Sequence, residues 1–157
     1  MISFDELDRR ILAALQVDAT VTNQALALRV FASPATTLRR VRTLTESGAI
    51  QKTVAILSPE SVGELLIAIS EITLSDQHAE AFDAFERGVV AAPEVTQCYR
   101  TAPSVDFTLV LTLTGMAQYN ALVQRLFSAT NNVRNVRTRF ATKRSKFSTE
   151  IPLPSRN

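Results

Sequence analysis

The stretch TNQALALRVFASPATTLRRVRTLTESG, residues 22–48, decides how this chain is read. Leu26 and Val30 fall on one face of a short helix that the Thr22 hydroxyl can cap. Phe31, Ala32 and Ser33 interrupt it, and Ser33-Pro34 starts the next helix. Serine there accepts a bond from a free backbone N–H, while proline at the first helical position gives up an N–H that had no partner anyway. The next helix runs from Pro34 to about Ser47, where Gly48 stops it. At roughly 100° per residue, Leu38, Val41 and Leu44 lie within about 120° of one another and are expected to face the core. Upstream, Leu7, Ile11, Leu12 and Leu15 share one face of a further helix that closes over Val17 to Val21. Two short helices joined by so brief a turn make a helix-turn-helix.

The outward face of the last helix carries Ala35, Thr36, Arg39 and Thr43, flanked by Arg40 and Arg42. Standing alone, three arginines read more readily as a solvated helix face. On the second helix of a helix-turn-helix they point to double-stranded DNA: the first turn reads base edges, longer cations hold phosphates, and the helix N-terminus itself favours an anion. Ser33, Ala35, Thr36 and Thr37 are expected towards bases, and Arg39, Arg40 and Arg42 towards phosphates. Thr43, with Thr22 and Asn23 at the start of the preceding helix, completes the candidate set.

Beyond Gly48 the pattern changes. Val54 to Leu57 read as a strand, followed by a turn at Ser58, Pro59 and Glu60. Then come a strand over 65–74, a helix over 79–91, strands over 95–101 and 106–114, a helix over 116–128 and a strand over 133–142. This βαββαβ order predicts an antiparallel sheet with both helices on one face and the other face bare, to be covered by a second subunit.

Composition sets limits. The chain has 157 residues, 46% hydrophobic and 20% charged, enough to bury a real core. Net charge is only +2, so bulk electrostatics does not announce a nucleic-acid binder. The charge is uneven: residues 61–132 hold three basic and eight acidic groups, residues 133–157 seven and one. A single cysteine, Cys98, and the lack of a charged start leading into an apolar run predict a cytoplasmic protein. Leu65 to Ile69, the longest apolar stretch, falls far short of the roughly 20 residues that cross a bilayer, so no membrane role is expected. One histidine, one cysteine, four glycines and no phosphate loop or metal-ligand spacing argue against an enzyme, a metal site or a cofactor. His78 reads as a solvated or capping residue, and Cys98 as a small core residue.

The sequence resembles the Lrp/AsnC family, the leucine-responsive and asparagine-responsive regulators of bacteria. The family's opening pattern is echoed by Phe4, Asp5, Asp8, Ile11 and Leu12, and its recognition-helix pattern by Ser33, Pro34, Leu38, Arg39, Arg40, Val41, Leu44, Gly48 and Ile50. The resemblance implies an α+β chain: a winged helix-turn-helix over 1–50, a linker strand and turn over 51–64, and a ferredoxin-like βαββαβ effector domain over 65–157. It further implies a transcriptional regulator tuned by a small molecule, an amino acid, and a homodimer formed sheet on sheet that assembles into discs such as octamers. An architectural DNA-binding protein without an effector is the alternative.

The family's ligand site surrounds a Gly-x-x-Asp turn between the second and third strands of the effector domain. Here that turn is Pro103, Ser104, Val105 and Asp106, with Arg100 and Thr101 before it and Thr138 and Thr142 on the last strand as further candidates. Proline for glycine fixes φ and removes an N–H that a ligand carboxylate could use. Asp106 has two readings, partner of an amino-acid ammonium or cap of its own turn. Phe31 replaces the family's turn glycine, and Lys52 and Thr53 replace Gly-Tyr at the linker start. If the turn needs positive φ, the Phe31 ring is expected to recover the cost by packing.

Overall fold

The computed structural model describes residues 4–153. They divide into two compact units, one holding the residues up to Ile56 together with those from Lys146 on, the other Leu57–Ser145.

In the first unit, α1 (Glu6–Val17), α2 (Asn23–Arg29) and α3 (Pro34–Glu46) enclose Ile11, Leu12, Leu26, Val30 and Leu44. The local signals act as expected. Thr22 Oγ1 accepts from Ala25 N–H at 3.2 Å, Ser33 Oγ accepts from Thr36 N–H at 3.2 Å, and Gly48 takes φ +77° just past α3. Asp5 caps α1 in a reciprocal box, accepting from Asp8 N–H at 2.8 Å while Asp8 accepts from Asp5 N–H at 3.2 Å.

Three expectations need correction. The described residues after the last strand do not all group with the sheet, because those from Lys146 to Leu153 cluster with the first unit. There the Gln16 side chain imitates a strand neighbour: its Nε2 donates to Ile151 O at 3.2 Å and its Oε1 accepts from Ile151 N–H at 2.7 Å. Leu153 packs against the helical core beside them. Sequence spacing carries no trace of so distant a contact.

The linker strand over Val54–Leu57 does not form; these residues have no strand partner among the described residues, and Val54, Ile56 and Leu57 are exposed. A strand needs a neighbour to take its hydrogen bonds, and a single copy of the chain supplies none here.

Phe31 does take positive φ, at +55°, yet its ring is 85% exposed. The left-handed conformation costs a non-glycine residue about 1–2 kcal/mol, and packing returns little of it. Phe31→Gly is therefore expected to stabilise the chain by about 1 kcal/mol, read as a raised midpoint in urea denaturation. A lowered midpoint would show that the ring has a partner after all.

The second unit begins with a single turn, α4 (Pro59–Val62), where the sequence suggested only a turn. It continues β1 (Leu66–Leu74), α5 (Ala79–Val90), β2 (Val95–Arg100), β3 (Phe107–Leu113), α6 (Met116–Leu126) and β4 (Val133–Phe140). The four strands pair antiparallel in the order β2-β3-β1-β4, the expected ferredoxin-like βαββαβ arrangement. Register places Ala68 opposite Leu111, Ser70 opposite both Leu109 and Thr138, and Ile72 opposite Phe107. Strand alternation sends Ala68, Ile72, Phe107, Leu109 and Leu111 to one face, where they are fully buried with Phe85 and Val89 of α5 and Leu122 of α6. The opposite face presents Ile67, Ile69, Glu71, Thr108, Val110, Thr112 and Arg139, and Ile69 on it is exposed.

Candidate nucleic-acid interface and ligand pocket

The start of α3 is fixed from two sides. Asn23 Nδ2 donates to Pro34 O at 2.9 Å, tying α2 to the first residue of α3, and Ser33 caps the helix while its hydroxyl meets Thr36 Oγ1 at 2.9 Å. Thr22 and Asn23 thus act in the structure as a cap and a tether.

The rotation of α3 differs from the apolar count by about one residue. Thr37 is fully buried and Leu38 is 61% exposed, so Thr37, Val41 and Leu44 face inward. Thr37 Oγ1 donates to Ser33 O at 3.0 Å, which satisfies its hydroxyl and lets its methyl enter the core. Thr37 therefore leaves the set of expected base contacts, and Leu38 leaves the core.

Arg40 is corrected as well. Instead of reaching outward, its Nη2 lies 2.8 Å from Asp5 Oδ2 and its Nη1 3.3 Å from both Asp8 oxygens. The Asp8 N–H it accepts and the Arg40 guanidinium hold the Asp5 carboxyl below its ordinary range. Arg39 and Arg42 remain exposed with no carboxylate partner among the described residues. Along the same outer side stand Ser33, Ala35 and Thr43, exposed, and Thr36, half-buried; the Thr43 hydroxyl donates back to Arg39 O at 3.1 Å. The result is a capped helix start with small polar side chains, followed by two free guanidinium groups.

In the second unit, the loop from β2 to β3 borders a cavity of about 310 Å³ lined by Thr73, Gln77, Arg134 and Thr101 to Asp106. Asp106 does not cap its own turn: its Oδ2 accepts from Leu74 N–H at 2.7 Å, and its backbone N–H donates to Ile72 O at 2.9 Å, fastening the loop to the end of β1. Gln77 Nε2 approaches both carboxylate oxygens at 3.4 Å. Thr101 Oγ1 donates to Val105 O at 2.9 Å, and Ser104 takes φ +78°, a conformation costly for an L residue. Arg134, on β4, brings a guanidinium with no carboxylate partner among the described residues.

The other ligand candidates go elsewhere. Arg100 pairs with Asp83 at 2.8 Å and with Glu86, and lies over the rings of Phe82 and Phe107 at 5.2 and 5.7 Å. Strand alternation puts it opposite the acidic side of α5 and away from the cavity. Thr138, on the helix-covered face, bonds Ser70 Oγ and accepts from the Tyr119 hydroxyl, both at 2.8 Å. Thr142 lies beyond β4, exposed. Sequence reasoning missed Thr73, Gln77 and Arg134. Only Arg134 left a signal, as the first of three arginines on the last strand.

A larger hollow, about 460 Å³, lies between α5 and α6. Its polar side chains are already engaged: Arg125 pairs with Glu94 at 2.9 Å, and Asn132 bonds both backbone groups of Asp76. His78 precedes α5 and pairs with Asp76, which raises its pKa. Cys98 packs beside the core, where burial pushes its thiol up. Among the described residues no group of acidic, histidine or cysteine side chains could hold a metal, and no helix is long and apolar enough to cross a membrane.

Comparison with known proteins gives two family matches, the Lrp/AsnC ligand binding domain over residues 67–151 and a winged helix-turn-helix DNA-binding family over residues 4–51. An HTH-type transcriptional regulator of Haemophilus influenzae is 35% identical, over 98% of this chain and 91% of its own length. The leucine-responsive regulatory protein of Escherichia coli is 30% identical, over 97% of this chain and 93% of its own. A transcriptional regulator of Neisseria meningitidis, solved as its L-Met complex, superposes with a TM-score of 0.86 at 30% identity, covering 96% of this chain and 97% of that one.

Proposed function

Because this chain belongs to the Lrp/AsnC family of transcription regulators, with a DNA-binding helix-turn-helix and a ligand-binding domain, we propose that α3 enters the major groove of its operator and that an amino acid in the Asp106 cavity tunes that binding. The observation that carries the DNA part is the outer side of α3, where a capped start bearing Ser33, Ala35 and Thr36 precedes the free guanidinium groups of Arg39 and Arg42. Small polar groups read base edges, and the arginines take phosphates on either side. Selection of duplexes from a random pool by the full chain tests this. Recovery of a motif with two half-sites about one helical turn apart is expected, and recovery of random sequence overturns it.

The effector part is supported by charge. Asp106 and Arg134 border one cavity with opposite signs, which suits a zwitterion whose ammonium meets the carboxylate and whose carboxylate meets the guanidinium. Pro103 offers no N–H, so the cation replaces a donor that the loop lacks. Asp106→Asn keeps an acceptor for Leu74 N–H and removes the charge. It is expected to weaken amino-acid binding by about 10- to 100-fold in calorimetry, a charged hydrogen bond being worth about 1.5–3 kcal/mol. Unaltered binding would remove Asp106 from the site, and no heat with any of the twenty amino acids would favour an effector-free regulator.

The protein works as a homodimer in the cytoplasm, closing the bare sheet face and the exposed Val54, Ile56 and Leu57 against a second copy, and further assembly into octamers follows the same family pattern. Its task is binding, with no catalytic step.

A further inference from the structure

We infer that Arg40 is the positioning residue of the DNA-reading helix: it clamps α3 to the capped start of α1 by bridging the Asp5 and Asp8 carboxylates, and it contacts no phosphate. The inference rests on the DNA-binding reading of α3.

Three observations carry it. Arg40 is bonded at both ends of its fork, with Nη2 at 2.8 Å from Asp5 and Nη1 at 3.3 Å from Asp8. A planar guanidinium joining two carboxylates fixes distance and orientation together, which a single contact does not. The acceptors are themselves immobile, because Asp5 and Asp8 hold each other's backbone N–H in the capping box of α1. Asp8 is also only 7% exposed, so losing Arg40 would leave a nearly buried carboxylate without its cation.

The clamp has a geometric consequence. Arg40 leaves α3 on the side facing α1, whereas Ala35, Thr36, Arg39 and Arg42 leave it outward. Holding Arg40 therefore sets how far α3 is rotated about its own axis, and with it which side chains meet the groove. The opening Asp5-x-x-Asp8 pattern and Arg40 of α3, far apart in sequence, act as one device.

The test uses the full chain, fluorescence anisotropy, a duplex selected by the wild type from a random pool, and a scrambled duplex of equal length. Arg40→Ala is expected to weaken the selected duplex roughly tenfold, the size of one lost base contact, to change the scrambled one less than about twofold, and to leave the salt slope unchanged. Asp8→Asn reproduces this pattern, and the double substitution loses no more than either single one. Arg39→Ala, the control, weakens both duplexes and reduces the slope by about 0.9.

Equal weakening of both duplexes by Arg40→Ala, with a slope lowered by about 0.9, would mark Arg40 as a phosphate contact and overturn the inference. So would tighter binding of both duplexes by Asp8→Asn, the result of removing a negative charge and nothing else, or full additivity in the double. If thermal melting finds Arg40→Ala unfolded, Arg40→Lys takes its place. Lysine keeps a cation without the fork, so a partial loss confined to the selected duplex is expected, and undiminished binding overturns the clamp. A wild type that selects no duplex sinks the DNA reading itself, and the clamp with it.

Discussion

Replacing Phe107 with alanine is expected to destabilise the second unit by about 3–5 kcal/mol, the range for an aromatic removed from a packed core. Phe107 is fully buried at the start of β3, its ring 5.5 Å from Phe82 and 5.0 Å from Phe85, with the Arg100 guanidinium above it at 5.7 Å. Truncation leaves a cavity beneath α5 and takes away the surface on which Arg100 rests. It also loosens the residue next to Asp106, so binding at the proposed amino-acid site is expected to fall together with stability. The helical core of the first unit shares no residue with this cluster. Urea denaturation followed by circular dichroism measures the loss, and a change under about 1 kcal/mol would mean that the neighbours close the gap.

The second large effect concerns DNA. Arg39 and Arg42 are the cations that α3 leaves unpaired, and their joint replacement by alanine is expected to reduce the salt slope of binding by about 1.8 per protomer, at about 0.9 for each phosphate contact. At low salt the affinity falls by more than about tenfold, for selected and scrambled duplexes alike, because phosphates carry no sequence information. An unchanged slope would place the phosphate contacts elsewhere on the chain.

These expectations differ from what residue types alone suggest, and the differences have physical causes. Caps and strand order were plain in the sequence because they depend on neighbours: Thr22, Ser33-Pro34 and Gly48 each act within one turn, and alternation along 66–74 and 107–113 marks one buried face. The rotation of α3 was not legible from apolar spacing, since a threonine that bonds the carbonyl four residues back can sit in a core beside an aliphatic residue. Nor was the role of Arg40, whose partners lie 32 and 35 positions earlier on another helix. Of the candidate ligand residues, the turn from Thr101 to Asp106 was found because a motif marks it. Arg134 and Gln77 reach the same cavity from other elements, and Arg100 and Thr138 are drawn to partners that only the folded sheet brings near.

The tail that bonds Gln16 and places Leu153 beside the helical core has a consequence for the newborn chain. In chain order α1, α2 and α3 precede the sheet domain, yet Leu153, an apolar piece of their core, follows it. The sheet domain is thus synthesised, and able to fold, before the helical unit is complete.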